Sequence, residues 1–438
     1  MYKINKFIQF IADGDFTILF NLQKNNFIVL RKELAEIVKN HRNNVNALKD
    51  IHPELYLQME KNGMIIPEET NEVAQIIKNW EAADNSQNYF SMIINPTLNC
   101  NLKCWYCYEE HDRKPIMNAE IVESICYLIK KKTATETLKD LNISFFGGEP
   151  LLGFEKVIKP ILSFAAEECR ERGINMSSNF TTNGTLLTEE IFLFLKKLNL
   201  TNRINFQISL DGNNLYHNNI RIGHHREPTY HTIIKNIKES ITHEFSVSVR
   251  LNYTAENILT FIDVLEDFRD ISETERKLLS FNFQQIWQDQ AINKDIQQRV
   301  EKVKNIFTDE GFFVSSDKIH HRHNCYADME HNIVINYDGN LFKCTARDFK
   351  PEDREGCLTK DGELLWNNKF RQQMAIKYSN KACLACNILP ICNGGCTQNK
   401  LEAHDTNTCY RHMSDLDKEE YIKKRLEELI MMHNKKNS

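Results

Sequence analysis

The stretch Asn99-Cys100-Asn101-Leu102-Lys103-Cys104-Trp105-Tyr106-Cys107-Tyr108 decides how the rest of the chain is read. Its three thiols are spaced C-x3-C-x2-C, just after the short apolar run Phe90 to Ile94. A structural zinc knot wants four ligands, usually in CxxC pairs. No fourth Cys or His stands at knot spacing here, although His111 follows close by. Three thiolates from one loop suit an iron–sulfur cube with one iron left free of protein. Three buried structural cysteines are the plain alternative, and the motifs further along argue against it.

With Tyr106 immediately before the last Cys, the stretch resembles the signature of radical S-adenosylmethionine (SAM) enzymes. The resemblance implies that the free iron takes the amino and carboxylate groups of SAM, with Tyr106 beside the cofactor. The chain after the stretch alternates strands and helices. Strands are expected at Phe90–Ile94, Leu141–Phe146, Asn175–Phe180, Arg203–Ser209, Phe245–Leu251 and Ser280–Ile286. Amphipathic helices are expected between them, for example Ala119–Lys132, Phe154–Arg172 and Ile258–Phe268. Six strand–helix units imply a parallel sheet with right-handed crossovers, an α/β fold curved into a partial (β/α)6 barrel. Ligands of such sheets sit at the carboxyl ends of the strands.

The remaining motifs fall at those ends. Gly147-Gly148-Glu149-Pro150 follows the second strand; two glycines let backbone groups approach a small polar ligand, and Glu149 offers a carboxylate to an ammonium. In the radical SAM family this segment binds the SAM amino group. Thr181-Thr182-Asn183-Gly184 follows the third strand and Ser209-Leu210-Asp211-Gly212 the fourth. By the resemblance, Asn183, Ser209 and Asp211 hydrogen-bond the ribose and carboxylate of SAM. Arg221, in His217-Asn218-Asn219-Ile220-Arg221, matches a family Arg that pairs with the SAM carboxylate, a role suited to a planar bidentate donor. Asn252, ending the fifth strand, matches a position that contacts the nucleoside. Each alone could be turn chemistry; in order at successive strand ends they are specific. Phe146 departs from members with a polar residue before GGEP. No residue is assigned as the catalytic acid or base.

Thirteen cysteines are many for a chain with ordinary composition, 26% charged and 41% hydrophobic. In a reducing compartment they point to metal or redox chemistry and away from disulfides. Cys126 and Cys169 lie on helix-like stretches and read as buried structural thiols. Eight others crowd between positions 325 and 409. Cys325, Cys344, Cys383, Cys386, Cys392, Cys396 and Cys409 reproduce, with Gly339, the pattern of the SPASM domain, which houses two auxiliary iron–sulfur clusters. A zinc ribbon is the rival, since CxxC pairs also build tetrahedral sites. Carried over by position, Cys383, Cys386, Cys392 and Cys409 hold the outer cluster, and Cys325, Cys344 and Cys396 the inner one. Relatives with a further Cys before the first have thiols where this chain reads Lys318-Ile319-His320-His321-Arg322-His323-Asn324. The fourth inner ligand is left open between Cys357, a histidine and no protein group; an open iron would suit a substrate thiolate.

The first eighty residues contain no Cys. Phe7–Ile11 and Phe16–Asn21 read as strands around Ala12-Asp13-Gly14-Asp15, Phe27–Leu30 as a third strand, then helices over Arg31 to Asn40 and Pro53 to Lys61. A turn and short strand, Asn62 to Pro67, make a wing. This is similar to the winged-helix peptide-recognition domain in front of many peptide maturases, whose members take a leader peptide as an added edge strand. A stabilising cap and a nucleic-acid winged helix are the alternatives. The acidic wing Glu68-Glu69-Thr70-Asn71-Glu72 argues against a phosphate backbone. Glu81 to Asn88 reads as the linker, and Met413 to Met432 as an amphipathic tail helix packed on its domain.

The expected division is therefore a winged-helix-like α+β domain over 1–85, a radical SAM core over 86–315, a SPASM domain over 316–412 and a C-terminal helix over 413–438. A net charge of -5 leaves no basic footprint, so nucleic acid is not expected as partner. No signal peptide and no apolar run of membrane-spanning length is read, so a cytoplasmic protein without a membrane partner is expected. The resemblance implies three 4Fe–4S clusters and SAM, an electron from flavodoxin or ferredoxin, and a deoxyadenosyl radical that abstracts a substrate hydrogen. Its substrate would be a ribosomally made precursor peptide with a leader, and its product a cross-link such as a thioether. Formylglycine formation, epimerisation and carbon–carbon or carbon–oxygen cross-linking are the alternatives, with a non-catalytic zinc scaffold as a different class. Sulfatase maturases carry an Asp directly after the Cys matching Cys344; here Thr345 stands there, with Asp348 nearby.

Overall fold

The computed structural model describes the chain apart from residues 108–114, 201–202, 224–226, 292, 316–324, 404, 406 and 438, with 432–437 described as backbone helix. His111, His320, His321 and His323 lie outside the described residues. The chain divides into two units, one of Ser86–Lys318 and Glu330–Phe370, the other of Met1–Asn85, Ile319–Met329 and Arg371–Ser438.

The first of these units is built on parallel strands Tyr89–Ile94, Asp140–Phe145, Asn175–Thr182, Ile204–Leu210, Ser246–Tyr253 and Leu279–Gln285, adjacent in sequence order. Each expected core strand is present, with no end shifted by more than two residues. Burial alternates strictly along Ile204–Leu210 and Asn175–Thr182, so one face enters the apolar core and the other a half-open interior. Phe145, Phe180 and Phe206 stack across three neighbouring strands with centroids 5.2 and 5.1 Å apart. Helices Ala119–Thr133, Lys159–Arg172, Glu189–Lys197 and Tyr230–Thr242 supply apolar faces to the same core. Side-chain caps start several of them, with Asn118 accepting from Ile121 N and Thr188 from Ile191 N. The sheet stays open, as a partial barrel requires. Beyond Tyr89–Ile94 it is extended by Asn332–Ile335 and an antiparallel run of Asn340–Phe342, Gly356–Leu358 and Leu364–Trp366. These strands of three or four residues carry too little periodicity to be read from sequence.

The other unit begins with an antiparallel meander, Ile8–Asp13, Phe16–Asn21 and Asn26–Arg31. Helices Lys32–Asn40 and Pro53–Lys61 follow, and the wing strand Ile65–Pro67 pairs with Tyr2–Ile4. The expected linker is half helix: Glu72–Asp84 is helical, so the acidic wing ends and Glu81–Asp84 belongs to an element. Asn71 caps it by accepting from Ala74 N, and Ile76 and Trp80, four apart, are its buried stripe. Middle strand Phe16–Asn21 is buried on both faces. Leu19 enters a core with Val38, Leu48 and Met59, while Ile18 and Phe20 enter another with Trp80, Ile388, Ile391, Ile422 and Leu426. The tail helix, Asp415–Asn437, thus packs within its unit as its periodicity suggests.

Candidate functional site

A cavity of about 280 Å³ opens at the carboxyl ends of the parallel strands, and Cys100, Cys104 and Cys107 all line it. Around them stand Gly147 and Gly148, Thr181 to Asn183, Ser209, Arg221 and Asn252. Of the residues expected from sequence around the cofactor, all but Glu149, Pro150 and Asp211 line this cavity, gathered from successive strand ends.

The cysteine loop is held from below by the GGEP turn. Glu149 N–H donates to Asn99 O at 2.7 Å and Gly148 N–H to Thr97 O at 3.2 Å. A Cβ on Gly148 would lie 2.2 Å from Asn99 O, and one on Gly147, at φ +103°, 2.5 Å from Thr97 O. The glycines therefore serve close approach of this turn to the loop that carries the thiols. Glu149 itself is fully buried and is not part of the cavity lining. Its carboxylate accepts from Thr182 Oγ1 at 2.8 Å, Asn183 N at 2.8 Å and Leu151 N at 3.0 Å, tying two strand ends together. Burial pushes its acid up to about 7. Pro150 opens the short helix that follows.

Above this floor Tyr106 Oη donates to Asp211 Oδ1 at 2.6 Å and accepts from Arg221 Nη2 at 2.9 Å and Asn252 Nδ2 at 3.1 Å. All three hydrogen-bonding positions of the phenol are filled, which fixes its ring beside Cys107. Arg221 Nε also pairs with Asp211, so the buried carboxylate and guanidinium neutralise each other. Asp211 does not line the cavity, whereas Arg221 and Ser209 do. The backbone N–H of Asp211 donates to His217 Nδ1 at 3.4 Å, which requires a neutral imidazole; burial, then Arg221, holds His217 well below the usual range.

Burial raises the Cys100 thiol to about 12 and the Cys104 thiol to about 11. Leu102 N–H and Asn183 Nδ2 approach Cys100 Sγ at 3.4 and 3.7 Å, donors suited to a thiolate. Such thiols ionise when a cationic group takes them, with release of protons. Three thiols with no fourth sulfur or imidazole among the described lining residues fit an iron–sulfur cube with one open iron. Among the described residues no three His, Cys, Asp or Glu side chains are drawn together around a single metal ion, so the fit to a cluster rests on the thiols sharing one lining.

Sequence reasoning missed Gln207, Arg250, Gln285, Trp287 and Gln288, which also line the cavity with Thr345 and Ala346. The signal for two of them was present: Gln207 and Arg250 lie two residues before Ser209 and Asn252, on the same strand faces. Gln288 Nε2 donates to Tyr106 O at 2.8 Å, anchoring the loop that carries Trp287 to the cysteine loop.

In the other unit Cys383, Cys386, Cys392 and Cys409 line a single cavity of about 600 Å³. Asn380 caps the helix Lys381–Ala385 by accepting from Cys383 N, and Cys383 Sγ donates to Gly394 O at 3.4 Å. Four thiols around one space also fit a cubane cluster. Cys325 and Cys396 belong to this unit too, Cys344 and Cys357 to the sheet unit. Cys344 Sγ accepts from Ala346 N at 3.4 Å, and Cys357 sits in the strand opposite Asn340 and Leu365. Cys126 and Cys169 lie on helices, the latter buried.

An open α/β sheet with three loop thiols at a carboxyl-end cavity fits a protein that holds an iron–sulfur cluster beside a small-molecule site. The Radical SAM superfamily model matches residues 94–268. The cysteine-type anaerobic sulfatase-maturating enzyme of Clostridium novyi (strain NT) is 25% identical over 343 residues, 71% of this chain and 88% of that protein. Native anSMEcpe with bound AdoMet and Kp18Cys peptide is similar in structure, with TM-score 0.60 and 17% identity over 79% of this chain and 99% of that one. Streptococcus suis SuiB bound to precursor peptide SuiA gives TM-score 0.52 and 17% identity over 92% and 97%. At such identities the structural likeness is one of fold. Residues 94–268 thus carry a radical SAM domain, the chain is an enzyme, and its fold is that of the anSMEcpe and SuiB structures. SAM binding and iron–sulfur chemistry come with that domain.

Proposed function

We propose that this enzyme is a peptide maturase that installs a cross-link, such as a thioether, in a ribosomally made precursor. The observation that carries the reading is the cavity itself, where the three thiols of the signature loop share one lining with amides, hydroxyls and Trp287. When bound, the cluster and SAM would supply a deoxyadenosyl radical able to abstract a substrate hydrogen. Cys100, Cys104 and Cys107 would hold the first cluster. Tyr106, Gly147, Gly148, Ser209, Arg221, Asn183 and Asn252 would line or steady the SAM pocket. Glu149, Pro150 and Asp211 would support it from beneath. Gln207, Gln285 and Gln288 offer donors and acceptors to a peptide backbone. Cys383, Cys386, Cys392 and Cys409 would hold one auxiliary cluster, and Cys325, Cys344 and Cys396 a second, giving three in all. An electron carrier of the flavodoxin or ferredoxin class would act as donor, in the cytoplasm. Among the described residues no helix is long and apolar enough to cross a membrane.

The recognition role falls to residues 1–85, whose meander has Ile8–Asp13 and Asn26–Arg31 at its edges, with Val29 exposed on the second. A leader peptide added there would form backbone hydrogen bonds along the edge.

Formylglycine formation is the second reading, favoured by the likeness to sulfatase maturases. It wants a base in the cavity, and the described lining holds Thr345 and no carboxylate or imidazole. One experiment separates the readings. Anaerobically reconstituted enzyme is given SAM, reductant and a precursor peptide, and the product is analysed by mass spectrometry and a carbonyl-reactive probe. A cross-linked product lacks a hydrogen pair and ignores the probe. An aldehyde that reacts with it would falsify cross-linking, and an unchanged mass with an inverted centre would point to epimerisation. Reconstituted protein should hold about twelve iron atoms, four per cluster; stoichiometric zinc with little iron defeats the whole reading.

A further inference from the structure

Lys400 stands where a charge is expensive. Its side chain is 2% exposed, on the short helix Thr397–Ala403 that follows Cys396. Its Nζ donates to the carbonyl of Lys377 at 3.1 Å. The segment Asn393-Gly394-Gly395, left-handed at all three residues, brings the helix back against the thiols. A Cβ placed on Gly394 would be 3.4 Å from Lys400 Nζ and 3.9 Å from Cys383 Sγ, so ammonium and sulfur flank the same small gap. Burial holds its ammonium below the usual lysine range, and the charges of Cys383, Asp328, Cys396 and Cys392 act in the opposite direction.

The neighbouring cation has a partner of its own. Lys377, also buried, is paired with Asp84 and donates to Asp328 O. The Asp328 carboxyl is hydrogen-bonded to Thr397 and shared between the charges of Lys377 and Lys400. A buried ammonium is tolerated where an anion balances it. Here the sulfurs, once they are thiolates, join Asp328 as the anions that act on it.

We propose that Lys400 is a positioning residue for the four-thiol site, whose buried ammonium compensates the thiolates of Cys383, Cys386, Cys392 and Cys409. A group held there would be reduced at a higher potential than the same four sulfurs would give without the buried ammonium. Net charge and the donors around the sulfurs set the potential of such clusters, and a cation close by favours the state with one more electron. The inference rests on the reading of these thiols as an iron–sulfur site.

The test is an EPR-monitored redox titration of the reconstituted full chain, with iron counted in each variant. Cys386→Ala identifies the signal of this site as the one it removes. K400R keeps the charge, K400Q keeps a donor for the Lys377 carbonyl without it, and K400M removes both. The midpoint potential should shift to more negative values in K400Q and K400M and stay near wild type in K400R. Loss of this cluster's iron from K400Q and K400M with retention in K400R also supports the role of charge. Intact iron with an unmoved midpoint in K400Q overturns it, as does loss of the cluster from K400R. If Cys386→Ala removes no signal and no iron, the iron–sulfur reading of the site fails, and this inference with it.

Discussion

Glu149 shows how a residue readable as a ligand acts as a strut. The motif pointed to a carboxylate facing an ammonium, and the structure gives that carboxylate three protein donors and no exposure. Burial raises its acid from 4.5 to about 7. A group raised on folding contributes stability that is fully present below its unfolded value and is lost as pH rises through the folded one. The cluster-free protein should therefore lose stability between pH 4.5 and about 7, by on the order of 3 kcal/mol from this group. Glu355, which burial also pushes up to about 7, adds to the same slope. Glu149→Gln removes only the first contribution. The variant starts less stable at low pH, because an amide N–H must face a backbone N–H. Its deficit against wild type should narrow as pH rises through about 7. Melting both proteins across that range checks this; a deficit independent of pH would mean that Glu149 stays ionised throughout.

At the scale of elements, the cysteine loop and the GGEP turn are one device. Two backbone hydrogen bonds and two glycines set their spacing, and the atoms facing Gly148 are backbone, with little freedom to yield. Gly148→Ala should cost about 2–4 kcal/mol through overpacking and lost hydrogen bonds. It should also deprive the reconstituted protein of about four iron atoms while the C-terminal site keeps its own. Gly173→Ala is the control: a helix cap at φ +67° with no atom near its absent Cβ, costing only about 1 kcal/mol. Equal iron in both variants would detach the turn from the thiols. This device also marks how far the sequence could be read. GGEP, TTNG, SLDG and the C-x3-C-x2-C loop are contiguous, and the strands ahead of them are apolar enough to announce themselves. The Tyr106–Asp211–Arg221–Asn252 network was legible as four residues, each expected at the cofactor. That they chiefly bond each other could not be read, because side-chain partners more than a hundred residues apart leave no local pattern. Trp287 was hidden for a related reason: the end of the sixth strand carries no glycine or motif.

At the scale of the molecule, charges and apolar residues distant in sequence join the first 85 residues to the cysteine-rich C-terminal segment. The helix Glu72–Asp84 goes unread in the sequence, which gives Glu72 to the acidic wing and Glu81–Asp84 to the linker, because its polar residues outnumber Ile76 and Trp80. Its end holds Asp84, where a helix dipole disfavours an acid, yet Asp84 is 2% exposed. Lys377 explains it: the two form a buried ion pair, Tyr378 Oη donates to the same carboxylate, and Trp80 stacks on Tyr378 with centroids 5.9 Å apart. Removing one partner leaves a buried charge uncompensated, which costs about 3–5 kcal/mol. Asp84→Asn should destabilise the protein by that amount in denaturant titrations. Asp84→Asn combined with Lys377→Met should recover a large part of the loss, giving a coupling energy of about 2–3 kcal/mol in the double-mutant cycle. Because the double-faced strand Phe16–Asn21 shares a core with Ile388, Ile391 and Leu426, the two segments should also unfold together. Hydrogen exchange in Phe16–Asn21 and thiol labelling of Cys392 should report the same midpoint in wild type, and that midpoint should move in step in Asp84→Asn. If exchange in the strand is lost well before Cys392 becomes reactive, the N-terminal segment folds as a separate module, and deleting it becomes a clean test of leader recognition. If the midpoints coincide, deletion would strip the thiol site of part of its core, and recognition has to be probed by substitutions at the exposed edge around Val29.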